Sequence, residues 1–402
     1  MTDTLSTSAP RDVVFVGGGY RTVSFLASQP WLLQHRVDVL ERSNSFGGGA
    51  FADYDCMSTS VANRFVGKVA PVVAAAVEDP RRLSELQHPD AEPLPLTEVS
   101  TVLEDVGRAV EARLSATGRV QRQCEVTRIR ARGDGVSVET GNGEVIRSRH
   151  VVIATGREER PHPALAHVRE RTILSSELIS VRRTDDLLAQ LKKLSAPVVI
   201  AGGSHSAVAA LLRLLRLRQQ CGRPDLVLTM VRRSPVRLHY RSLAEAQAQR
   251  DPISEAPIDP VADVCPATGQ VNRDSGLRGS GRATYRALAA GGIPGASVRS
   301  VRSLEHASGL LDEAGLVVQA LGYHGRAPRI EGPHGVVRTP DSDDRLINLA
   351  DGTAVIGSVP VPSLSVLRVE PTPLVVRDHG LYGQGLYDAL ARRLRDELAV
   401  RA

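Results

Sequence analysis

Aromatic residues make up only 3% of this 402-residue chain, so the stacking platforms that hold single-stranded nucleic acid are poorly supplied. The net charge of +5 is mild and the basic residues are scattered; nucleic-acid binding is not expected. No run of 18 apolar residues occurs, so no membrane-spanning helix is expected. Residues 1–11 are polar and lack the apolar core of a signal peptide, which predicts a cytoplasmic protein. The four cysteines, Cys56, Cys124, Cys221 and Cys265, form neither a Cys-x-x-Cys pair nor a zinc-type cluster with histidine. They read as inert thiols. No metal is expected, and disulfide reductases with a local dithiol are largely excluded.

What the chain does have is two glycine-rich turns, 185 residues apart from Gly17 to Gly202, each ending a short apolar strand and opening a helix. In the first, the run Val13 to Val16 reads as a strand buried on both faces. Gly17 permits the tight turn, and Gly19 lets a pyrophosphate approach the backbone at a helix N-terminus. Thr22 occupies the third fingerprint position, where glycine or alanine is usual, and is expected to loosen helix–strand packing. The next strand, 37–40, ends in Glu41, 24 residues after Gly17. That is close to the spacing of an acid that binds a ribose hydroxyl and disfavours a 2′-phosphate. FAD or NAD fits, and the N-terminal position favours FAD. Arg42 and the run Gly47, Gly48 and Gly49 follow, similar to the glycine cluster that passes near the flavin in flavin monooxygenases.

In the second turn Gly202 is the first glycine, Ser204 stands at the second position and Ala207 at the third. Ser204 places a side chain where the phosphate would approach. His205 and Ser206 open the helix, with His205 in reach of an NADPH phosphate or bonded locally. The next strand, 226–231, runs into Arg232 and Arg233 with no acid. Arginines there can hold a 2′-phosphate through bidentate hydrogen bonds, which favours NADPH over NADH.

The pattern predicts an α/β chain of two Rossmann-like dinucleotide-binding domains, an FAD domain with an NADPH domain inserted in it. Residues 1–160 and 300–402 would form the first, with a helical insertion at about 80–118 whose helix spans 97–116. Strands near 125–129, including Val126 as a candidate flavin contact, and 136–139 follow, with a hairpin turn at Gly141 to Gly143. The strand from His150 ends in Ala154, Thr155 and Gly156, the latter two candidate cofactor contacts. Residues 175–293 would form the NADPH domain. Its polar segment 241–281 is long for a structureless loop and reads as a lid, an oligomer contact or a partly disordered stretch. A strand from Gly315 then leads to Gly322 and Tyr323 and back to the FAD domain. A final helix at 382–400 carries Leu386, Leu390, Leu394 and Leu398 along one face.

Four pieces together resemble the flavin-dependent N-hydroxylating monooxygenases, the lysine and ornithine hydroxylases of siderophore synthesis. They are the opening fingerprint; the run Cys56 to Asn63, similar to a Met-Gln-x-Ser-Phe-x-Lys segment beside the flavin; Ala320 to Tyr323, similar to Ala-Thr-Gly-Tyr; and Asp378, His379, Gly380 and Leu381 with Gly385, Leu386, Ala391 and Arg392, similar to a terminal His-Gly-x-x-Asp run. The resemblance implies that NADPH reduces FAD and that the reduced flavin activates oxygen for N-hydroxylation of an amine or amino acid. It also implies flavin-side roles for Met57 and Ser60, and a place for His379 at the flavin or substrate. Asn63 stands where those enzymes carry lysine and Ser58 where they carry glutamine, so the substrate end differs from theirs. Asn63 either bonds near flavin or substrate or caps local backbone. Two alternatives stay open: a reductase or oxidase with the same cofactors and no oxygen insertion, and a dinucleotide-binding regulator or partner subunit without turnover.

Overall fold

The computed structural model describes residues 9–88, 92–132, 135–266, 268–273, 275–340, 346–367 and 384–399. The chain divides into two units, 1–52 with 60–158 and 324–402, and 53–59 with 159–323.

The first unit is built on the strand Arg11–Val16, whose last four residues, Val13 to Val16, are buried, as their unbroken apolar run requires. It lies between Val37–Leu40 and Val145–Ile153, both parallel to it, with Phe15 opposite Val39 and Val152. Arg119–Gln121 extends this parallel layer on one side and Val359–Val366 on the other. Val145–Ile153 also pairs antiparallel with Gly135–Thr140, which pairs with Val126–Arg132. The helix Leu96–Glu111 presents Val99, Leu103, Val106 and Val110 to the core shared with the helix Tyr20–Ser28. The final helix Gln384–Ala399 buries Leu390, Leu394 and Leu398 in that same core.

Thr22 does not loosen the first turn. Its side chain is fully buried, and its hydroxyl donates to the Gly17 carbonyl at 2.5 Å. A small hydroxyl satisfied inside the turn replaces the close contact that glycine or alanine would make.

The second unit holds a five-stranded parallel sheet in the order Ala296–Ser300, Leu228–Arg232, Val198–Ala201, Leu316–Gln319, Thr172–Leu174. The helix His205–Gln220 packs Ala207, Leu211, Leu214 and Leu217 into its core. Leu316–Gln319 pairs with Val198–Ala201, so the chain re-enters the first unit only at His324, later than residue 300.

The polar segment 241–281 packs onto its own unit where it is described. Tyr240, Val271 and Cys265 are buried, and a helix forms at Leu243–Gln249. The buried Glu255 accepts from the Tyr240 hydroxyl and from Arg286 Nε at 3.0 Å, while the Tyr285 hydroxyl donates to the Ser254 carbonyl at 2.7 Å. One carboxylate and two tyrosines tie down a stretch that has few aliphatic side chains of its own.

Candidate dinucleotide-binding sites

Each glycine turn lies within one unit. Gly17 has φ of +99°, and a Cβ there would lie 2.6 Å from the Ala154 carbonyl oxygen. Only glycine tolerates both conditions. Gly19 is the extended residue before the helix Tyr20–Ser28, and a Cβ on it would meet nothing within 4 Å. This is open space before the free N–H groups of a helix start, the feature an anionic pyrophosphate needs. Glu41 is buried beside it, accepting from the Gly18 amide at 2.6 Å and the Ser43 amide at 2.8 Å. Its carboxylate therefore faces the turn with lone pairs to spare for a ribose hydroxyl. Arg42 next to it is exposed.

The glycine cluster divides its work. A Cβ on Gly47 or Gly48 would strike the Leu103 carbonyl or the Ser100 hydroxyl, so both serve close packing onto Leu96–Glu111. Gly49 instead faces Gly19, its notional Cβ 3.4 Å from the Gly19 Cα. Tyr20, Phe51 and Phe65 pack together beside this point, with Tyr20 and Phe51 stacked at 5.2 Å. The Cys124 amide donates to the Glu41 carbonyl at 2.9 Å, two residues before the Val126–Arg132 strand begins. The Thr155 hydroxyl is taken by the Arg326 carbonyl, and Gly156 has open space around its Cα.

Other candidates sit elsewhere. The Asn63 amide donates to the carbonyl of Gln87, 24 residues on, a long-range bond in place of a cap on local backbone. Ser60 is half-buried in the first unit, whereas Met57, 45% exposed, belongs to the 53–59 segment of the second. That segment is fastened there by Asp55, which pairs with Arg213 and, at 2.9 Å, with Arg216. Burial and the neighbouring Asp55 push the Cys56 thiol up to about 11, so it stays protonated near neutrality. His379 and Gly380 lie outside the described residues.

In the second unit the same geometry recurs. Gly202 has φ of +144°, and its notional Cβ would lie 2.2 Å from the Ala320 carbonyl oxygen. Ser204 takes the place of Gly19 as the extended residue before the helix His205–Gln220, with φ of −107°. Its side chain makes no cap hydrogen bond and lines a cleft of about 600 Å³. Arg232, Arg233 and Gly322 line the same cleft, and so do Arg237 and Glu305. Arg232 is buried, with its Nε lacking a partner among the described residues and one terminal nitrogen 3.2 Å from the Ser234 carbonyl. An unpaired buried guanidinium N–H is a donor waiting for an acceptor. Arg233 is exposed.

His205 is not among the residues lining the cleft: its Nε2 is bonded to the Gly276 carbonyl at 3.2 Å, and burial lowers its basicity. Ser206 sits half-buried in the first helical turn. Tyr323 lies beyond the cleft lining, hydrogen-bonded to Tyr54, its hydroxyl held protonated by burial. The sequence reading missed Arg237 and Glu305. Arg237 lies five residues past the strand end, and Glu305 follows a strand, Ala296–Ser300, that has little apolar character to announce it. Among the described residues no three metal-ligating side chains cluster, and no helix is long and apolar enough to cross a membrane.

Comparison with known proteins agrees with this architecture. The family model of flavin containing amine oxidoreductases matches residues 101–161, which end just past Thr155 and Gly156. A curated relative, the CMP-5'-(3-aminopropyl)phosphonate hydroxylase of Streptomyces rubellomurinus, is 29% identical over 356 residues, covering 80% of this chain and 79% of its own. Among solved structures, the FAD-bound cadaverine monooxygenase of desferrioxamine biosynthesis from Erwinia amylovora has a TM-score of 0.63 at 16% identity, covering 98% of this chain and 95% of that one. The ornithine N-hydroxylase of Kutzneria sp. 744, solved with reduced FAD, NADP+ and L-ornithine, has a TM-score of 0.55 at 17% identity, covering 98% and 99%. The chain thus has the fold of the flavoproteins with two dinucleotide-binding domains. Its structural neighbours include N-hydroxylating flavin monooxygenases, and disulfide reductases share the fold as well.

Proposed function

We propose that this chain is an FAD- and NADPH-dependent monooxygenase that hydroxylates a primary amine at the end of a short alkyl chain. The observation that carries the reading is the pair of matching cradles with opposite residues at the ribose position: an acid, Glu41, beside Gly18, and an arginine, Arg232, beside Gly203. An acid suits the free ribose hydroxyls of FAD, and an arginine suits the 2′-phosphate of NADPH. When bound, the flavin supplies the transfer of electrons from NADPH to oxygen.

The residues of the chain bind and orient. Gly17, Gly19 and the first amides of Tyr20–Ser28 hold one pyrophosphate. Gly202, Ser204 and the first amides of His205–Gln220 hold the other, with the Ser204 hydroxyl adding a donor instead of blocking the approach. Arg232 and Arg233 take the 2′-phosphate, joined by Arg237. Support for the amine comes from the names of similar proteins, which act on cadaverine, on ornithine and on an aminopropyl phosphonate. All three carry a primary amine on an alkyl chain. The protonated Cys56 thiol favours this reading over the reductases that share the fold.

The test is NADPH oxidation by the FAD-loaded protein with a panel of terminal amines, following hydroxylamine formation and hydrogen peroxide separately. The reading expects at least one amine to raise hydroxylamine and lower peroxide. NADPH oxidation that reduces an added acceptor without oxygen, and never yields hydroxylamine, would put a reductase in its place. A protein that takes up neither FAD nor NADPH would be a non-catalytic relative.

A further inference from the structure

Glu305 has no role in the reading above, yet it lines the cleft of the second unit together with three arginines. The sheet gives that cleft an internal order. Its strands are parallel and run Ala296–Ser300, Leu228–Arg232, Val198–Ala201, Leu316–Gln319 across the sheet. Their C-terminal ends deliver to the cleft, in that order, residues 301–305, 232–237, 202–204 and 320–322. In such a sheet the pyrophosphate rests on the glycine turn and the adenosine ribose at the end of the neighbouring strand. The base of a dinucleotide held this way would fall one strand further out, over residues 301–305, and its nicotinamide would lie on the opposite side, toward Gly322.

An acid is out of place beside a phosphate, since like charges repel. It suits a ligand group that donates hydrogen bonds. The ribose hydroxyls donate too, but they lie one strand nearer the turn. At the outer end the exocyclic amine of adenine is the donor that remains. Leu304, half-buried beside Glu305, offers an apolar surface to the ring.

We propose that Glu305 reads the adenine of the nicotinamide dinucleotide, its carboxylate accepting the 6-amino group, with Leu304 against the base. The proposal rests on the dinucleotide reading of this cleft. Hydrogen bonding to Ser303 holds the Glu305 carboxyl below its ordinary range, so it is an acceptor at neutral pH.

The experiment titrates the purified full chain with NADP+ and with its hypoxanthine counterpart, in which a 6-oxo acceptor replaces the amine. NADP+ is expected to bind about tenfold more tightly. In Glu305→Ala the ratio should fall to near one through weaker NADP+ binding. In Glu305→Gln the hypoxanthine form should gain, because the amide can donate to its oxo group. Both variants should keep the preference for NADP+ over NAD+, which depends on the arginines. A wild-type protein that binds the two bases equally, or a Glu305→Ala variant that keeps the full ratio, overturns the adenine assignment and leaves the dinucleotide reading standing. A wild-type protein that binds neither nucleotide overturns that reading and the assignment with it.

Discussion

The two glycine turns make the same contacts position for position. A Cβ added at Gly17 or Gly202 would meet the carbonyl of Ala154 or Ala320; one added at Gly18 or Gly203 would meet the Cβ of Glu41 or Arg232. The residues at the helix starts, Gly19 and Ser204, share an extended backbone. The turns differ in what stands at the next strand end. Glu41 is folded onto amides of its own unit, whereas Arg232 keeps an unpaired N–H. On the proposed reading, backbone geometry would set where a dinucleotide lies, and one side chain which dinucleotide it is.

Substitutions in the first turn separate backbone geometry from ligand contact. Gly17→Ala should destabilise the protein by roughly 3 kcal/mol, because the new Cβ meets the Ala154 carbonyl at a positive φ. Gly19→Val should leave thermal stability of the FAD-free protein near wild type, since its side chain enters open space, yet abolish FAD retention. A Gly19→Val protein that purifies yellow would remove the pyrophosphate from that turn.

A smaller effect is expected at the second turn. Arg233→Ala combined with Arg232→Gln should cut the preference for NADPH over NADH by roughly tenfold to a hundredfold, read from flavin reduction in stopped flow. FAD content should not change. An unaltered preference would assign the 2′-phosphate elsewhere, with Arg237 next in line.

Ser204→Gly makes the two turns alike. Because the Ser204 backbone already has a negative φ, the change relieves no strain and removes only one donor. NADP+ affinity should fall by about tenfold, as for a single hydrogen bond to a charged group. A gain in affinity would mean that the serine obstructs the phosphate.

A further test is a pH dependence that rests on His239 in the second unit. Burial, with the positive Arg278 nearby, pushes His239 down to about 4 from 6.5. The folded protein keeps this ring neutral, while the unfolded chain takes up a proton below about 6.5. His239 therefore favours unfolding as pH falls from 6.5 toward 4. The difference in thermal midpoint between wild type and His239→Gln should shift in favour of the variant over that range. A constant difference from pH 7 to 4.5 would show that His239 is charged in the folded state.

Much of this was legible in sequence because it is local. Both strand–turn–helix units, Glu41, the arginine pair and the hairpin at Gly141 to Gly143 follow from adjacent residues. Long-range pairing was not legible. Nothing near Asn63 announces that Gln87 holds its amide, and nothing in the polar stretch 241–281 announces that Glu255 will meet Arg286. Glu305 reaches the cleft only because Ala296–Ser300 joins the sheet edge. A Cβ on Gly47 or Gly48 would strike Leu96–Glu111, and a residue that must be small for packing leaves the same mark in sequence as one that must be small for a cofactor.

The clasp between Arg213 and Asp55 bears on how such enzymes can be taken apart and recombined. Arg213 is 4% exposed, and its carboxylate partner comes from the short 53–59 excursion rather than from 159–323. A fragment cut at 159 and 323 would leave a buried guanidinium uncompensated, at a cost of about 3–5 kcal/mol. Grafting this half of the molecule onto a relative would therefore have to carry seven distant residues, 53–59, along with it. The heritable module is discontinuous in the gene, even though the fold presents it as one body.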